Sequence, residues 1–139
     1  MPKAPLPEDL QEFLRAPNPC VVASVRSPDE ELHTTATWYE WTNDGKVLLN
    51  MDGSRRRLDY MRRDPRVALT ILADDWYSHV SLTGRVREVR PDPDLTDIDR
   101  ISRHYTGRPY PDRQRDSWTA EVEVERWHSW GELGRSRQG

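Results

Sequence analysis

The sequence predicts a mainly β protein of about six antiparallel strands with short helices, arranged as a closed barrel or a sandwich. Segments rich in β-branched and aromatic residues, such as ELHTTATWYEWT and RVALTILA, recur along the chain and are joined mostly by turns. The two long connections carry short amphipathic helical patterns instead. With 139 residues and 35% apolar content, the chain suits one domain spanning residues 1–139.

The first half of the chain predicts one helix followed by three strands. PEDLQEFLRAP places its apolar residues on one helical face, and Pro17 ends it. PCVVASVR predicts a strand, and SPDEE predicts the turn after it. ELHTTATWYEWT and KVLLNMD then predict two strands joined by a hairpin at Asn43–Gly45, because NDG is a strong hairpin signal.

The middle of the chain predicts a helix and a strand. Gly53–Ser54 is expected to end the preceding strand and cap the helix, whose narrow apolar stripe contains Leu58 and Met61. Asp64–Pro65 ends that helix because the residue before a proline avoids the helical region. RVALTILA follows as a largely apolar strand.

The last part predicts two long strands around a third helix. WYSHVSLTGRVREVR reads as a strand with a bend or bulge at Gly84. PDPDLTDIDRISRHYTG reads as a helix ending at Gly107, with acids in its first half and bases in its second. RPYPDRQRD predicts a loop, and SWTAEVEVERWHSW alternates as a half-buried strand does. The tail GELGRSRQG is expected to fray.

Composition argues against several classes of function. Cys20 is the single cysteine, so the chain forms no internal disulfide and no cysteine-based metal site, and four scattered histidines predict no metal site. No phosphate-loop, dinucleotide-binding, zincin or nucleophile-elbow motif is present. A sequence pI near 5.8 disfavours nucleic acid as a partner. No apolar run suits a signal peptide or a membrane span, so we expect a soluble cytoplasmic protein without membrane contact.

Positive charge is concentrated in the segment NMDGSRRRLDYMRRDPRVAL, although the chain has a net charge of -3. Clustered like charges repel, so an acidic face, a nucleic acid or a ligand phosphate should offset them. A solvated face balanced by PDPDLTDID accounts for Arg56, Arg62 and Arg63. Arg55 and Arg57 differ because they fall in the first turn of a helix, where free N–H groups and the helix dipole favour an anion. This arrangement predicts a phosphate site.

Several of these segments together resemble one known family. The runs HTTATWYEW, NDGKVLLNMDGSRRR and MRRDPRVALTI, and the later LTGRVREV, RHYTGRPYP and WHSWG, are similar to the pyridoxamine 5'-phosphate oxidase-like, FMN-binding split-barrel superfamily. They resemble most its branch that uses the deazaflavin coenzyme F420, the flavin/deazaflavin oxidoreductase B group. The resemblance covers nearly the whole chain. It implies a Greek-key split β-barrel that forms a homodimer, with the cofactor in a groove at the subunit interface.

The resemblance also implies which residues bind the cofactor and the substrate. The phosphate would lie on Arg55 and Arg57, beside Ser54, at the start of the second helix. The ring would lie against the two strands that flank the hairpin, at Thr35, Ala36, Thr37, Trp38, Asn50, Met51 and Asp52. Tyr39 and Trp130 would form apolar walls for a planar substrate.

The reaction that the resemblance implies is hydride transfer from reduced coenzyme F420 to a conjugated small organic substrate. The cofactor carries such chemistry, which agrees with the lack of a visible catalytic constellation, and no catalytic residue is assigned. His104 and Tyr105 could donate a proton, although a structural hydrogen bond is the favoured role for both. Three alternatives stay open: an FMN-dependent enzyme of the same fold, a non-catalytic protein that binds a flavin, a deazaflavin or haem, and a small DNA- or RNA-binding barrel, which the acidic pI disfavours.

Overall fold

The computed structural model describes residues 1–26 and 28–133, and within them the chain forms seven strands and three helices. The strands are β1 (Cys20–Arg26), β2 (Glu31–Thr37), β3 (Glu40–Trp41), β4 (Lys46–Asp52), β5 (Arg66–Leu72), β6 (His79–Pro91) and β7 (Ser117–Trp130). The helices are α1 (Glu8–Leu14), α2 (Arg56–Arg63) and α3 (Thr96–Thr106). The predicted mainly β fold with short helices is therefore confirmed.

All seven strands belong to one antiparallel sheet with the order β2-β1-β5-β6-β7-β4-β3. The edge strands β2 and β3 are consecutive in the chain and are connected only by Trp38 and Tyr39. This short link brings the two edges of the sheet together, so the sheet must curl around its core. No ladder joins the two edges within the described residues, so the prediction of a closed barrel or a sandwich was wrong.

The predicted strand ELHTTATWYEWT is divided into β2 and β3, which raises the number of strands above the expected six. The interruption lies where the chain passes from one edge of the sheet to the other. There Tyr39 turns into the core, where its hydroxyl donates a hydrogen bond to the carbonyl of Leu14 at 2.6 Å. Local β propensity could not anticipate this break, because a contact with α1 determines it.

The predicted turn at Asn43–Gly45 is confirmed. Gly45 has a φ of +80°, a conformation that residues with a side chain adopt rarely, and its N–H donates to the carbonyl of Thr42 at 3.1 Å. The hairpin itself is short, since β3 pairs with β4 only at Glu40 and Trp41. The long ladder of β4 is formed with β7 instead.

The long strand β6 contains the predicted irregularity at Gly84. The register with β7 shifts between Thr83 and Gly84, and a Cβ at this position would collide with the carbonyl of Glu123. The strand begins at His79 rather than at Trp76. Residues 74–78 form a turn instead, in which the Ser78 N–H donates to the carbonyl of Asp75 at 2.9 Å.

The three helices cover the curled sheet with the apolar faces that the sequence predicted. Their buried apolar residues are Leu10, Phe13 and Leu14 in α1, Leu58 and Met61 in α2, and Ile98 and Ile101 in α3. Helix α3 begins later than predicted because the Asp92 carboxylate accepts hydrogen bonds from the N–H groups of Asp97 and Ile98, at 3.0 and 3.1 Å. Gly107 ends it, as predicted.

The tail prediction concerns residues 131–139, of which 134–139 lie outside the described residues, as does Ser27 of the predicted turn. None of the helices within residues 1–26 and 28–133 has the length and apolar character needed to cross a membrane.

Candidate functional site

One cleft of about 420 Å³ collects most of the residues that the sequence nominated. Its walls come from β2, β4, the beginning of α2, one face of α3 and the loop that precedes β7. The lining residues are Thr35, Ala36, Thr37, Trp38, Asn50, Arg55, Arg57, Ile98, Ile101, Tyr110 and Arg115. Because β2 is an edge strand and its residues 34–37 are exposed or half-buried, one side of the cleft is open to solvent.

Three guanidinium groups, those of Arg55, Arg57 and Arg115, face this cleft, and we refer to them as the cation cluster. Within the described residues, none of the three forms a salt bridge with a carboxylate. Burial lowers the pKa of Arg57, and the positive charges of Arg55 and Arg115 lower it further. The cleft therefore carries concentrated positive charge that is not neutralised by nearby carboxylates.

The start of α2 adds backbone donors to this positive charge. Arg55 precedes the first helical residue, and no side chain caps the helix there. The predicted Ser54 cap was wrong, because the Ser54 hydroxyl donates to Asp52 Oδ1 at 2.7 Å instead. Uncapped N–H groups at a helix start, together with the helix dipole, attract anions. This end of the cleft can hold a phosphate or a carboxylate.

Aromatic side chains form another part of the cleft wall. The Trp38 ring stacks on Tyr105 with 5.2 Å between ring centroids and meets Tyr110 edge-on at 6.3 Å. Tyr105 is fixed in turn, because its hydroxyl donates to the carbonyl of Asn18 at 2.7 Å and accepts from the Tyr39 N–H at 3.3 Å. The cleft thus combines an ordered apolar wall with a cationic end, which suits a planar molecule that carries an anion.

A buried polar network lies beneath the cleft. Asn50 is 6% exposed, and its Nδ2 donates to Ser117 Oγ at 2.9 Å and to Thr119 Oγ1 at 3.2 Å. Its Oδ1 accepts from Arg115 Nε at 3.3 Å and Nη2 at 3.1 Å. Ser117 Oγ donates to the buried carboxylate of Asp92 at 2.8 Å. Burial tends to raise the pKa of Asp92, but hydrogen bonds outweigh it and the pKa is lowered.

Comparison with known proteins identifies the family. A sequence model of the pyridoxamine 5'-phosphate oxidase family matches residues 6–131. The chain belongs to the pyridoxamine 5'-phosphate oxidase family. The resemblance found in the sequence is confirmed, and membership supports a flavin-related oxidoreductase. No curated protein sequence matches the chain.

Solved structures share the pyridoxamine 5'-phosphate oxidase-like fold at low sequence identity. An F420 reductase aligns with a TM-score of 0.78 and 23% identity, over 88% of this chain and 98% of its own. A conserved hypothetical protein from Mycobacterium tuberculosis aligns with a TM-score of 0.65 and 20% identity, over 98% of this chain and 89% of its own. General Stress Protein 26 from Bacillus anthracis aligns with a TM-score of 0.65 and 11% identity, over 88% of this chain and 91% of its own. At these identities the likeness establishes the fold alone.

Three residues nominated by the family resemblance lie away from the cleft. Met51 is fully buried on β4, and Tyr39 is 1% exposed in the core, where the side-chain amide of Asn18 donates to its hydroxyl at 3.1 Å. Trp130 is 49% exposed at the end of β7, where its ring meets Tyr77 edge-on at 6.1 Å. Tyr39 and Trp130 therefore do not line the cleft of their own chain as substrate walls.

Two further nominated residues, Asp52 and Ser54, lie next to the cleft without lining it. The pKa of Asp52 is lowered, first by hydrogen bonds from Ser54 and only last by the charge of Arg115. Their observed role is to shape the turn between β4 and α2, since the Arg55 N–H also donates to the Asp52 carbonyl at 3.0 Å. This turn places the start of α2 against the cleft.

Sequence reasoning missed Arg115 and Tyr110 altogether. Both lie in the segment interpreted as a plain loop, where neither periodicity nor spacing distinguishes a functional side chain. Ile98 and Ile101 were not nominated as site residues, because apolar residues at helical spacing indicate a buried helix face rather than a ligand site. The segment RHYTGRPYP, one of those that resemble the family, was the one available indication that Tyr110 belongs to the candidate site.

The two candidate proton donors have structural partners. Burial raises the pKa of Tyr105, whose hydroxyl bonds the backbone of Asn18 and Tyr39. His104 Nε2 lies 2.8 Å from the carbonyl oxygen of Arg15. Within the described part of the chain, no three histidine, cysteine or acidic side chains are grouped as metal ligands would be.

Proposed function

We propose that this protein binds coenzyme F420 in the cleft and uses it for hydride transfer to a conjugated small organic molecule. The observation that carries the proposal is the cation cluster, because three guanidiniums that have no carboxylate partner among the described residues meet an uncapped helix start in one cleft. Guanidinium groups form bidentate, charge-assisted hydrogen bonds with phosphate oxygens. An anion in this position would also offset the burial and the repulsion from Arg55 and Arg115 that together lower the pKa of Arg57.

The remaining walls fit the tricyclic ring of a flavin or deazaflavin. Trp38 offers apolar surface, the largely buried Ile98 and Ile101 lie beside it, and residues 35–37 of β2 expose edge-strand backbone that can donate and accept hydrogen bonds. When bound, the cofactor supplies the hydride, so the protein needs to position the ring and exclude water rather than provide an acid–base pair. The structural roles of Tyr105 and His104 are consistent with this division of work.

Two findings favour the deazaflavin over FMN. The sequence motifs around the hairpin and α2 resemble the F420-using branch of the superfamily most. In addition, the structural alignment with an F420 reductase covers 98% of that protein's chain. An FMN-dependent oxidase-like enzyme is the second candidate, because the family match itself is to pyridoxamine 5'-phosphate oxidase.

Titration of the purified protein with coenzyme F420 and with FMN tests the proposal. We expect a lower dissociation constant for F420, followed by oxidation of reduced F420 when an enone or a quinone is added. Ordinary flavin absorbance in the purified protein, or tighter binding of FMN, would favour the FMN enzyme. Tight F420 binding without turnover of any such acceptor would indicate a carrier, and failure to bind either cofactor would reject the proposal.

We also propose that the protein is a homodimer. The cleft of one chain is open along β2, whose Leu32 is 77% exposed, so a single chain desolvates a flat ring only on one side. A second subunit over this face would complete the enclosure. Light scattering at micromolar concentration should therefore give twice the monomer mass, and a monomer that binds cofactor with full affinity would contradict the arrangement.

A further inference from the structure

We propose that Arg115 binds an anionic group of the ligand and that Asn50 is the positioning residue that holds it. This inference rests on the proposed function, since it concerns the same cleft. It differs from the predicted phosphate site because Arg115 comes from the loop before β7, which follows the start of α2 by two strands and a helix in the chain. It also gives Asn50 a role that the sequence did not suggest.

The contacts of Asn50 fix the orientation of its carboxamide. Both N–H groups of Nδ2 are engaged, because Nδ2 lies 2.9 Å from Ser117 Oγ and 3.2 Å from Thr119 Oγ1, with Asp92 Oδ2 farther away at 3.5 Å. Ser117 has a single hydroxyl proton, and the carboxylate of Asp92 at 2.8 Å competes for it more strongly than Asn50 Oδ1 at 3.2 Å. Asn50 Oδ1 therefore remains available to accept from Arg115.

Arg115 is held without being neutralised. Its Nε and Nη2 donate to Asn50 Oδ1 at 3.3 and 3.1 Å, and its Nη1 donates to the Tyr110 hydroxyl at 3.3 Å. The guanidinium also lies over the Tyr110 ring at 4.7 Å from the centroid. A guanidinium has five N–H donors, so about two of them stay available to a ligand in the cleft that Arg115 lines.

A neighbouring arginine of the same loop shows what a purely structural role looks like. Arg113 binds both oxygens of Asp99, at 2.8 and 3.0 Å, and so fastens the loop to α3. Arg115 forms no such pair, and its charge instead adds to the repulsion felt by Arg57. A neutral donor such as glutamine would satisfy Asn50 without this repulsion, so the charge itself requires an explanation, and an anionic ligand provides one.

The test compares Arg115→Gln, Arg115→Lys and the control Arg108→Gln, using coenzyme F420, FMN and uncharged riboflavin as ligands. Arg108 is exposed on the same loop and does not line the cleft, so its removal matches the loss of one charge. We expect Arg115→Gln to weaken binding of an anionic ligand by about 10- to 100-fold, which is the loss of one charge-assisted hydrogen bond. Arg115→Lys should recover part of this loss, and riboflavin binding should not change.

The choice of ligands identifies the anionic group. Weakened binding of both FMN and F420 means that Arg115 binds the phosphate, whereas weakened binding of F420 alone means that it binds a second anionic group of that cofactor. Asn50→Ala should weaken binding in the wild-type background and add little in the Arg115→Gln background, because it acts through Arg115. Thermal unfolding of each free variant verifies that it is folded.

Several results would overturn the inference while leaving the proposed function intact. One is that Arg115→Gln binds the anionic ligands with wild-type affinity, and another is that Arg108→Gln loses as much affinity as Arg115→Gln does. A third is that riboflavin loses as much affinity as the anionic ligands, which would show that Arg115 acts through shape rather than charge. Full additivity of Asn50→Ala and Arg115→Gln would remove the positioning role. A wild-type protein that binds neither F420 nor FMN would instead reject the proposed function and the inference with it.

Discussion

The two ends of α2 carry the same kind of side chain in opposite electrostatic settings. At its start, Arg55 and Arg57 face the cleft without a carboxylate partner among the described residues. Beyond its end, Arg66 donates from Nη2 to Asp64 at 2.6 Å and to Glu30 at 3.0 Å. This short helix therefore lies between two arginines that face the cleft without a carboxylate partner and an arginine that is paired with two carboxylates.

Arg62 illustrates the second setting further. It lies 3.8 Å from Asp59, and its guanidinium covers the Trp118 ring at 4.7 Å from the centroid. Such contacts stabilise the fold modestly and leave little of the charge available to a ligand. The comparison teaches that the density of arginines in a sequence says little about binding, and that the absence of an internal partner says more.

The largest expected effect is at the start of α2. Arg55→Ala and Arg57→Ala should each raise the dissociation constant of the cofactor about 10- to 100-fold, because each removes a charge-assisted hydrogen bond to the anion. Arg62→Ala and Arg63→Ala at the other end should change it far less. Fluorescence titrations of the four variants at one salt concentration measure the difference. Equal losses in all four would mean that the helix acts as a diffuse positive surface.

A smaller effect on cofactor binding is expected from substitution of Trp38 in the cleft wall, compared with Trp118, which contacts Arg62. Trp38→Ala should weaken cofactor binding about three- to tenfold, since Trp38 is part of the cleft wall and stacks on Tyr105. Trp118→Ala should lower thermal stability but leave binding unchanged, because Trp118 contacts Arg62 and Asp116 instead. Equal binding losses in the two variants would contradict the position assigned to the ring.

The smallest effect concerns stability alone. Hydrogen bonds from the Arg66 side chain and N–H lower the pKa of Asp64 from 3.8 to about 2. Because the pKa is lowered in the folded state, this stabilisation is present above about pH 4 and is lost as the pH falls towards 2. Asp64→Asn should therefore lower the free energy of unfolding at pH 7 by about 0.5–1 kcal/mol, with the partly exposed pair discounted for solvent screening.

Urea unfolding of Asp64→Asn and the wild type at pH 7 and pH 2.5 measures this prediction. The difference should shrink at the lower pH, and cofactor affinity at pH 7 should be the same in both proteins. A stability difference that stays constant between the two pH values would show that the ion pair is not its cause.

Most helices and strands were predictable because local patterns determine them. The turn at Asn43–Gly45, the bulge at Gly84 and the end of α3 at Gly107 each follow from a residue whose backbone preference acts on its own surroundings. The break at Trp38–Tyr39 was missed because it depends on the contact of Tyr39 with α1. The start of α3 was missed for a similar reason, since Asp92 caps the helix from outside it.

The candidate site divides in the same way. Seven of the ten predicted cofactor-binding residues line the cleft: Thr35, Ala36, Thr37, Trp38, Asn50, Arg55 and Arg57. These seven residues could be predicted because they lie in two segments that carry the family's motifs. The position of Arg115 could not be predicted, because it depends on a hydrogen bond to Asn50, which lies 65 residues earlier in the chain.

The sequence by itself determined which segments form helices and strands and the family, and it predicted an anion site where an Arg-x-Arg run begins a helix. Each of these depends on interactions between residues close together in the chain. The tertiary structure alone decided the order of the strands, the meeting of the edges β2 and β3 through two residues, and which arginines have no carboxylate partner among the described residues. These features depend on pairing between distant segments, such as Asn50 with Arg115, and local preference contains no information about such partners.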